Sequence, residues 1–181
     1  ARTLSELEDV YRPFRPKRKT RASVARERGL EPLALALIRQ EKGFSPAAYA
    51  LTFTDAEKGV NSAEEALQGA MDIIAEQVSD NAAIRKRLRA IVRRDGVLTS
   101  VAADADRDSV YAMYYDFSEP VKKIAGHRVL AINRGEKEGF LKVSLSLDEQ
   151  EPLSVIDRLL NRHTNPLCSN FLRQAGADAY R

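Results

Sequence analysis

Between Ser62 and Gly96 apolar residues recur at helical spacing almost without interruption, and this stretch limits the folds open to the chain more than any other. Ser62 and Glu65 have the spacing of a capping box, and Leu67, Ala70, Met71, Ile74 and Val78 then trace one stripe, predicting a helix over Ser62–Ser79. Asp80 is placed to cap a second helix whose Ile84, Leu88, Ile91 and Val92 face inward until Gly96 ends it. Two amphipathic helices joined this tightly must bury their stripes against other helices, so the chain is expected to be mainly α.

The flanking segments supply those helices. Thr3 and Glu6 open a short helix through Leu4, Leu7 and Tyr11, which Pro13 and Pro16 end, and Phe14 is expected to anchor the following stretch against the core. Thr20 caps a helix to Arg28, with Gly29 as its stop. Pro32 begins a helix buried through Leu33, Leu37 and Ile38, and Ser45-Pro46 starts a short one through Tyr49 and Leu51. Near the end, Ile156, Leu159 and Leu160 form one stripe, and Asn165-Pro166 cap a last helix carrying Leu167, Phe171 and Ala175.

A smaller β element interrupts the helices. Leu141, Val143, Leu145 and Leu147 alternate with polar residues, the period of a strand with one buried face, and Val97–Val101 is its expected partner. Arg107–Tyr115 reads as helical, Ser118-Glu119-Pro120 as the start of a helical turn, and Arg128–Arg134 as a helix. The expected architecture is thus an irregular multi-helix array with one or two strands. It divides into 1–60 (basic strap and short helices), 61–96 (helix pair), 97–148 (mixed helix and strand) and 149–181 (C-terminal helices).

Charge is the clearest functional signal. From Arg12 to Arg28 the residues Arg12, Arg15, Lys17, Arg18, Lys19, Arg21, Arg26 and Arg28 stand against the single acid Glu27, a local charge of +7 in a chain whose net charge is +3, so the remainder carries −4. Such a segment either contacts phosphates, with Arg12, Arg15, Lys17, Arg18, Lys19 and Arg21 as the candidate nucleic-acid set, or forms salt bridges and a solvated face. A second basic set on the helix before Gly96 offers Arg85, Arg89 and Arg93 as candidates for docking an acidic partner; a solvated face is the alternative.

Catalytic chemistry has little to stand on. Asp104, Asp106 and Asp108 alternate like the start of a calcium loop, but Val110 follows and no bidentate Glu closes it. His163 lies near the single cysteine, Cys168, without an orienting group, and His127 follows a glycine at a helix start. No catalytic residue, metal or cofactor is expected. One cysteine forms no internal disulfide, and the longest apolar run, Leu33–Ile38, is far short of the roughly 20 residues that cross a bilayer, so a cytoplasmic location is expected. Ala1 at the start, without a signal pattern, and a final helix that stops at Arg181 lead us to expect a piece of a longer protein.

Three blocks in order carry a family resemblance. The first runs from Glu8 through Tyr11-Arg12-Pro13-Phe14-Arg15-Pro16-Lys17-Arg18-Lys19-Thr20-Arg21-Ala22, with Ala25-Arg26 and Gly29-Leu30-Glu31-Pro32-Leu33-Ala34. The second is Glu65-Ala66-Leu67 with Asp72-Ile73-Ile74-Ala75-Glu76, and the third runs from Ser118-Glu119-Pro120 through His127-Arg128 to Arg134-Gly135-Glu136-Lys137-Glu138-Gly139. Together they resemble the N-terminal helical region of the Tex family of bacterial transcription accessory proteins, with departures at Val101–Val110 and Lys42–Ala56.

That resemblance implies a much longer protein with a ribonuclease-H-like domain, helix-hairpin-helix elements and a C-terminal OB-fold RNA-binding domain downstream. This chain would be its non-enzymatic scaffold segment, with RNA or DNA bound mainly through domains it lacks and with no membrane or small-molecule substrate. A likeness to a eukaryotic elongation factor implies a place near RNA polymerase. The alternative role is therefore a protein-interaction module docking an acidic surface such as that enzyme.

Overall fold

The computed structural model describes residues 3–14, 19–162 and 164–181. In chain order its elements are α1 (Leu4–Tyr11), a 3-10 turn (Arg12–Phe14), α2 (Arg21–Glu27), α3 (Glu31–Arg39), α4 (Pro46–Leu51), α5 (Ala63–Asp80), α6 (Ala82–Asp95), β1 (Val97–Ala102), a 3-10 turn (Ala112–Tyr114), β2 (Asp116–Pro120), α7 (Gly126–Lys137), β3 (Leu141–Ser146), α8 (Gln150–Leu160) and α9 (Pro166–Tyr180). The chain is mainly helical. It forms two compact units: a helical unit of Ala1–Arg87 with Gln150–Arg181, and a sheet unit of Leu88–Glu149, the division falling within α6.

In the helical unit α5 is the central member. It buries Ala66, Leu67, Ala70, Ile73, Ile74, Ala75 and Val78, and packs against α2, α3, α4 and α9. The Ser62 hydroxyl accepts from the Glu65 N–H at 3.2 Å, while the Glu65 carboxylate reaches past the expected position and accepts from the Asn61 N–H at 2.8 Å. Gly69 opens this helix surface to the turn between α2 and α3: a Cβ there would stand 2.4 Å from Leu30 Cδ1 and 3.3 Å from Ala25 Cβ. Leu30 is fully buried with Leu33, Ala34 and Leu37.

Several local expectations shift by a residue or fail. The side chain of Asn81, rather than Asp80, caps α6, accepting from the Ala83 and Ile84 N–H groups at 3.0 and 3.1 Å. On α9 the buried face is Cys168, Ser169, Leu172, Ala175 and Gly176, and Leu167 is 58% exposed. Small residues set that choice, since a Cβ on Gly176 would lie 2.9 Å from Ile156 Cγ2 of α8; close helix approach outweighs side-chain bulk. Phe14 anchors nothing in the core, being 77% exposed.

A buried polar latch joins the α3–α4 connection to the α8–α9 connection. Gln40 ends α3 in the left-handed region at φ 53°. Its side-chain amide donates to the Leu160 carbonyl at 3.0 Å and accepts from the Arg162 N–H at 3.0 Å, and its own carbonyl accepts from the Thr164 hydroxyl at 2.7 Å. Asn165 caps α9 while its amide donates to the Glu41 and Phe44 carbonyls, both at 2.8 Å. With these bonds made, burying both amides costs little.

The sheet unit carries three antiparallel strands in the order β2-β1-β3. β3 pairs with β1, Leu98 opposite Leu145 and Ala102 opposite Leu141, as its alternation suggested. The third strand is a correction: Ser118-Glu119-Pro120 ends a strand, not a helical turn, with Pro120 opposite Val97 on an edge where a missing N–H is tolerated. Arg107–Tyr115 also falls short of a helix and contains only the 3-10 turn at Ala112–Tyr114. There the tyrosines turn inward instead: Tyr111 and Tyr114 join Ile132 and Leu141 in the core, the Ser100 hydroxyl donates to the Tyr114 carbonyl at 2.7 Å, and the Tyr111 hydroxyl donates to Glu138 at 2.9 Å. Burial, aided by Glu138, raises the Tyr111 phenol pKa.

Gly135 lets α7 lie close on this core. A Cβ there would meet Leu141 Cδ1 at 2.7 Å and Tyr111 Cγ at 3.1 Å. Gly135→Ala gains about 1 kcal/mol of helix propensity and incurs roughly 1–3 kcal/mol of overpacking, so a net loss is expected. Urea unfolding followed by near-ultraviolet circular dichroism of the tyrosines should show a lower midpoint; an unchanged or raised midpoint contradicts this packing.

Candidate nucleic-acid interface

The basic segment meets a row of acids on α5. Asp72, Glu76 and Asp80 recur every four residues and so lie along one side of the helix. Arg21 reaches Asp72 at 3.4 Å and Asp178 of α9 at 2.5 Å; Arg26 reaches Glu76 at 2.8 Å; Arg12 reaches Asp80 at 3.0 Å. The Thr20 hydroxyl, at the cap of α2, donates to the other Glu76 oxygen at 2.9 Å. Glu76 thereby fixes α2 through its cap and its last turn.

The first turns of α6 repeat the arrangement toward α1. Arg85 Nε donates to Asp9 at 2.7 Å, its Nη1 donates to the Ser79 carbonyl at 3.4 Å, and Lys86 stands 3.6 Å from Glu6. Asp9 is the most enclosed acid of the seam, its side chain 5% exposed. α1 is therefore held by its charged side, while Leu4, Leu7, Val10 and Tyr11 remain exposed. Hydrogen bonding to Asp178, and then the fields of Asp72 and Asp178, raise the Arg21 pKa, and the guanidinium stays charged at any ordinary pH.

Arg12 and Arg21 are in ion pairs, Lys19 is exposed, and Arg15, Lys17 and Arg18 lie outside the described residues. Lys19, Arg21 and Arg28 share a groove between α2 and α5 with Glu65 and Asp72, where the Arg28 guanidinium lies beside Gly59. Of Arg85, Arg89 and Arg93, the first two are half-buried and Arg93 is exposed. Sequence reasoning missed the carboxylates that complete the seam, although the four-residue spacing of Asp72, Glu76 and Asp80 was visible in the sequence.

Other candidate centres have plain structural surroundings. The Asp104 carboxylate accepts from the Asp106 N–H at 3.2 Å, closing a local turn. Among the described residues no group of three His, Cys, Asp or Glu side chains could hold a metal, and no helix is long and apolar enough to cross a membrane. His127 is exposed at the start of α7, and His163 lies outside the described residues. Cys168 is fully buried, and burial pushes its thiol pKa up, opposite to the activation a nucleophile requires.

Comparison with known proteins decides the family. A model described as Tex central region-like matches residues 41–177. This chain belongs to the Tex family. Protein YdcI of Bacillus subtilis (strain 168) is 40% identical over 98% of the chain, and the transcriptional accessory protein Tex of Neisseria gonorrhoeae is 34% identical over 77%. A human relative, S1 RNA-binding domain-containing protein 1, is 28% identical over 82%. The chain spans only part of each: 25% of YdcI, 18% of the gonococcal protein and 16% of the human one. In this Tex-family chain the matched region takes in α4 to α8 and most of α9, and the basic segment precedes it.

Two measurements test these placements. Arg85→Ala withdraws a charged partner from the enclosed Asp9 carboxylate and should lower stability by about 1–3 kcal/mol, while Lys86→Ala, at an exposed pair, should stay within about 0.5 kcal/mol. Equal costs in urea titrations contradict the seam. Cys168 should resist iodoacetamide at pH 8 under native conditions and react as urea unfolds the chain; rapid native alkylation contradicts its burial.

Proposed function

We propose that this chain is a non-catalytic helical scaffold segment of a nucleic-acid-binding transcription accessory factor. The observation that carries this reading is the seam: Arg12, Arg21, Arg26 and Arg85 each hold a carboxylate of another helix, so these cations fasten helices together. A fully buried cysteine with a raised thiol pKa adds support for a non-catalytic role.

The nucleic-acid part of the reading is supported by family membership and by the names of relatives, one a transcriptional accessory protein and another an S1 RNA-binding domain-containing protein. In this reading most nucleic-acid affinity belongs to parts of the relatives that this chain does not span. The chain's own contribution is phosphate contact, independent of sequence. Docking of RNA polymerase through Arg85, Arg89 and Arg93 is less favoured, because Arg85 is committed to Asp9 and only Arg93 is exposed.

Fluorescence anisotropy with labelled RNA tests this proposal. The 181-residue chain should bind in the range of about 1–100 µM at low salt and lose about ten-fold in affinity between roughly 50 and 200 mM salt, with little difference among RNA sequences. Tight, salt-resistant or sequence-selective binding contradicts it.

A further inference from the structure

Cations also collect at one corner of the sheet unit, where the end of α6 meets the turn after β2. α6 ends with Arg93, Arg94 and Asp95, and the chain turns at Gly96 into β1. The turn after β2 returns to this point: the Val121 N–H donates to the Gly96 carbonyl at 2.8 Å, and a Cβ on Gly96 would stand 3.3 Å from Val121 Cγ2. That turn carries Lys122 and Lys123, and Arg128 follows in the first turn of α7. Their positions are fixed by backbone pairing.

Asp95 and Glu119, the acids next to these cations in sequence, are already engaged. Asp95 holds Arg94 at 2.6 Å, and Arg94, with a smaller contribution from the field of Lys122, keeps its carboxyl below the usual range. Glu119 holds Arg128 at 2.7 Å. Five cations, Arg93, Arg94, Lys122, Lys123 and Arg128, thus outnumber four acids by one, since Asp148 and Glu149 follow β3 where Ser146 pairs with Val97 and join Asp95 and Glu119 at this corner. Arg93, Lys122 and Lys123 are exposed, and among the described residues none of them has a carboxylate within salt-bridge distance. This differs from the seam, where Arg12, Arg21, Arg26 and Arg85 are each matched by an acid.

We propose that this corner is the phosphate-contacting surface of the chain and takes the backbone of an RNA strand, with Arg93, Lys122 and Lys123 as the principal contacts. The inference rests on the proposed function and names the surface that reading leaves open. Lysine-rich patches suit phosphates, where point charges at the ends of flexible stems suffice, whereas lysine is depleted at protein–protein interfaces. Each phosphate neutralised releases condensed counterions, so the corner dictates a measurable share of the salt dependence.

The test uses the 181-residue chain and a fluorescein-labelled uridine oligomer of about 20 nucleotides, titrated by anisotropy across a salt series. Arg93→Gln/Lys122→Gln/Lys123→Gln should weaken low-salt binding about ten-fold or more and reduce the slope of log K against log salt by about 2, near 0.7 for each lost contact to a single strand. Arg12→Gln/Arg21→Gln and Arg15→Gln/Lys17→Gln/Arg18→Gln should each change affinity by less than about three-fold, with folding checked by circular dichroism. A corner variant that binds like the parent, equal losses in all three variants, or no measurable low-salt binding by the parent overturns the assignment. Displacement of the RNA by polyglutamate at equal charge also overturns it and points to an acidic protein instead. If the parent binds weakly and salt-sensitively while the corner variant is unaffected, only this inference fails; salt-resistant binding by the parent defeats the proposed function itself.

Discussion

The helical unit depends on α5 serving two sets of neighbours at once. Its apolar side buries Ile73, Ile74 and Val78 in the common core, while Asp72, Glu76 and Asp80 face cations from α2 and from the turn after α1. Neither side would suffice alone. The apolar stripe drives association but is non-directional, whereas exposed ion pairs contribute only about 0.2–1 kcal/mol each and cannot stabilise a fold. Together, burial supplies stability and the ion pairs set register, because each arginine has its carboxylate at one four-residue step along α5. Glu76 shows the combination most clearly, accepting from Arg26 and from the hydroxyl that caps the same short helix.

That arrangement gives the basic segment its meaning. A local charge of +7 invites a polyanion, and in isolation the segment reads as a nucleic-acid tail. In the fold, the polyanion met by Arg12, Arg21 and Arg26 is the chain's own α5 and α9. The −4 carried by the rest of the chain is therefore partly the complement of the +7 segment. Charge asymmetry along a sequence separates these two cases only when the spacing of the acids is considered with the cations, and Asp72, Glu76 and Asp80 have helical spacing.

Elements governed by local rules were readable from the residues: the caps at Thr3, Thr20, Ser62 and Asn165, the stripe of α5, and the alternation of β3. Elements governed by partners were not. Asp116–Pro120 lacks a strand's alternation and becomes one because β1 offers a free edge, where Pro120 is tolerated. On α9 the stripe Leu167, Phe171 and Ala175 was the expected inner face; Ala175 is buried, but Leu167 is exposed and the face turns to Cys168, Leu172 and Gly176, where a Cβ on Gly176 would stand 2.9 Å from Ile156 of α8. The pairing of Arg85 with Asp9 spans 76 residues, and no local pattern announces it.

The same distinction bears on which cations of the chain can meet a polyanion without disturbing its own ion pairs. A guanidinium already hydrogen-bonded to a carboxylate must surrender that bond, or accept a third charged partner beside an acid that repels phosphate, before it can contact RNA. Arg12, Arg21 and Arg85 face that cost, and for Arg85 it includes loosening the hold on a carboxylate only 5% exposed. Arg93, Lys122 and Lys123 do not, because their flexible stems end in solvent and their backbone is fixed by the Gly96–Val121 bond. A count of basic residues weights the first group most heavily. Their electrostatic surroundings favour the second, since the free energy of phosphate contact depends on cations that the fold leaves unmatched.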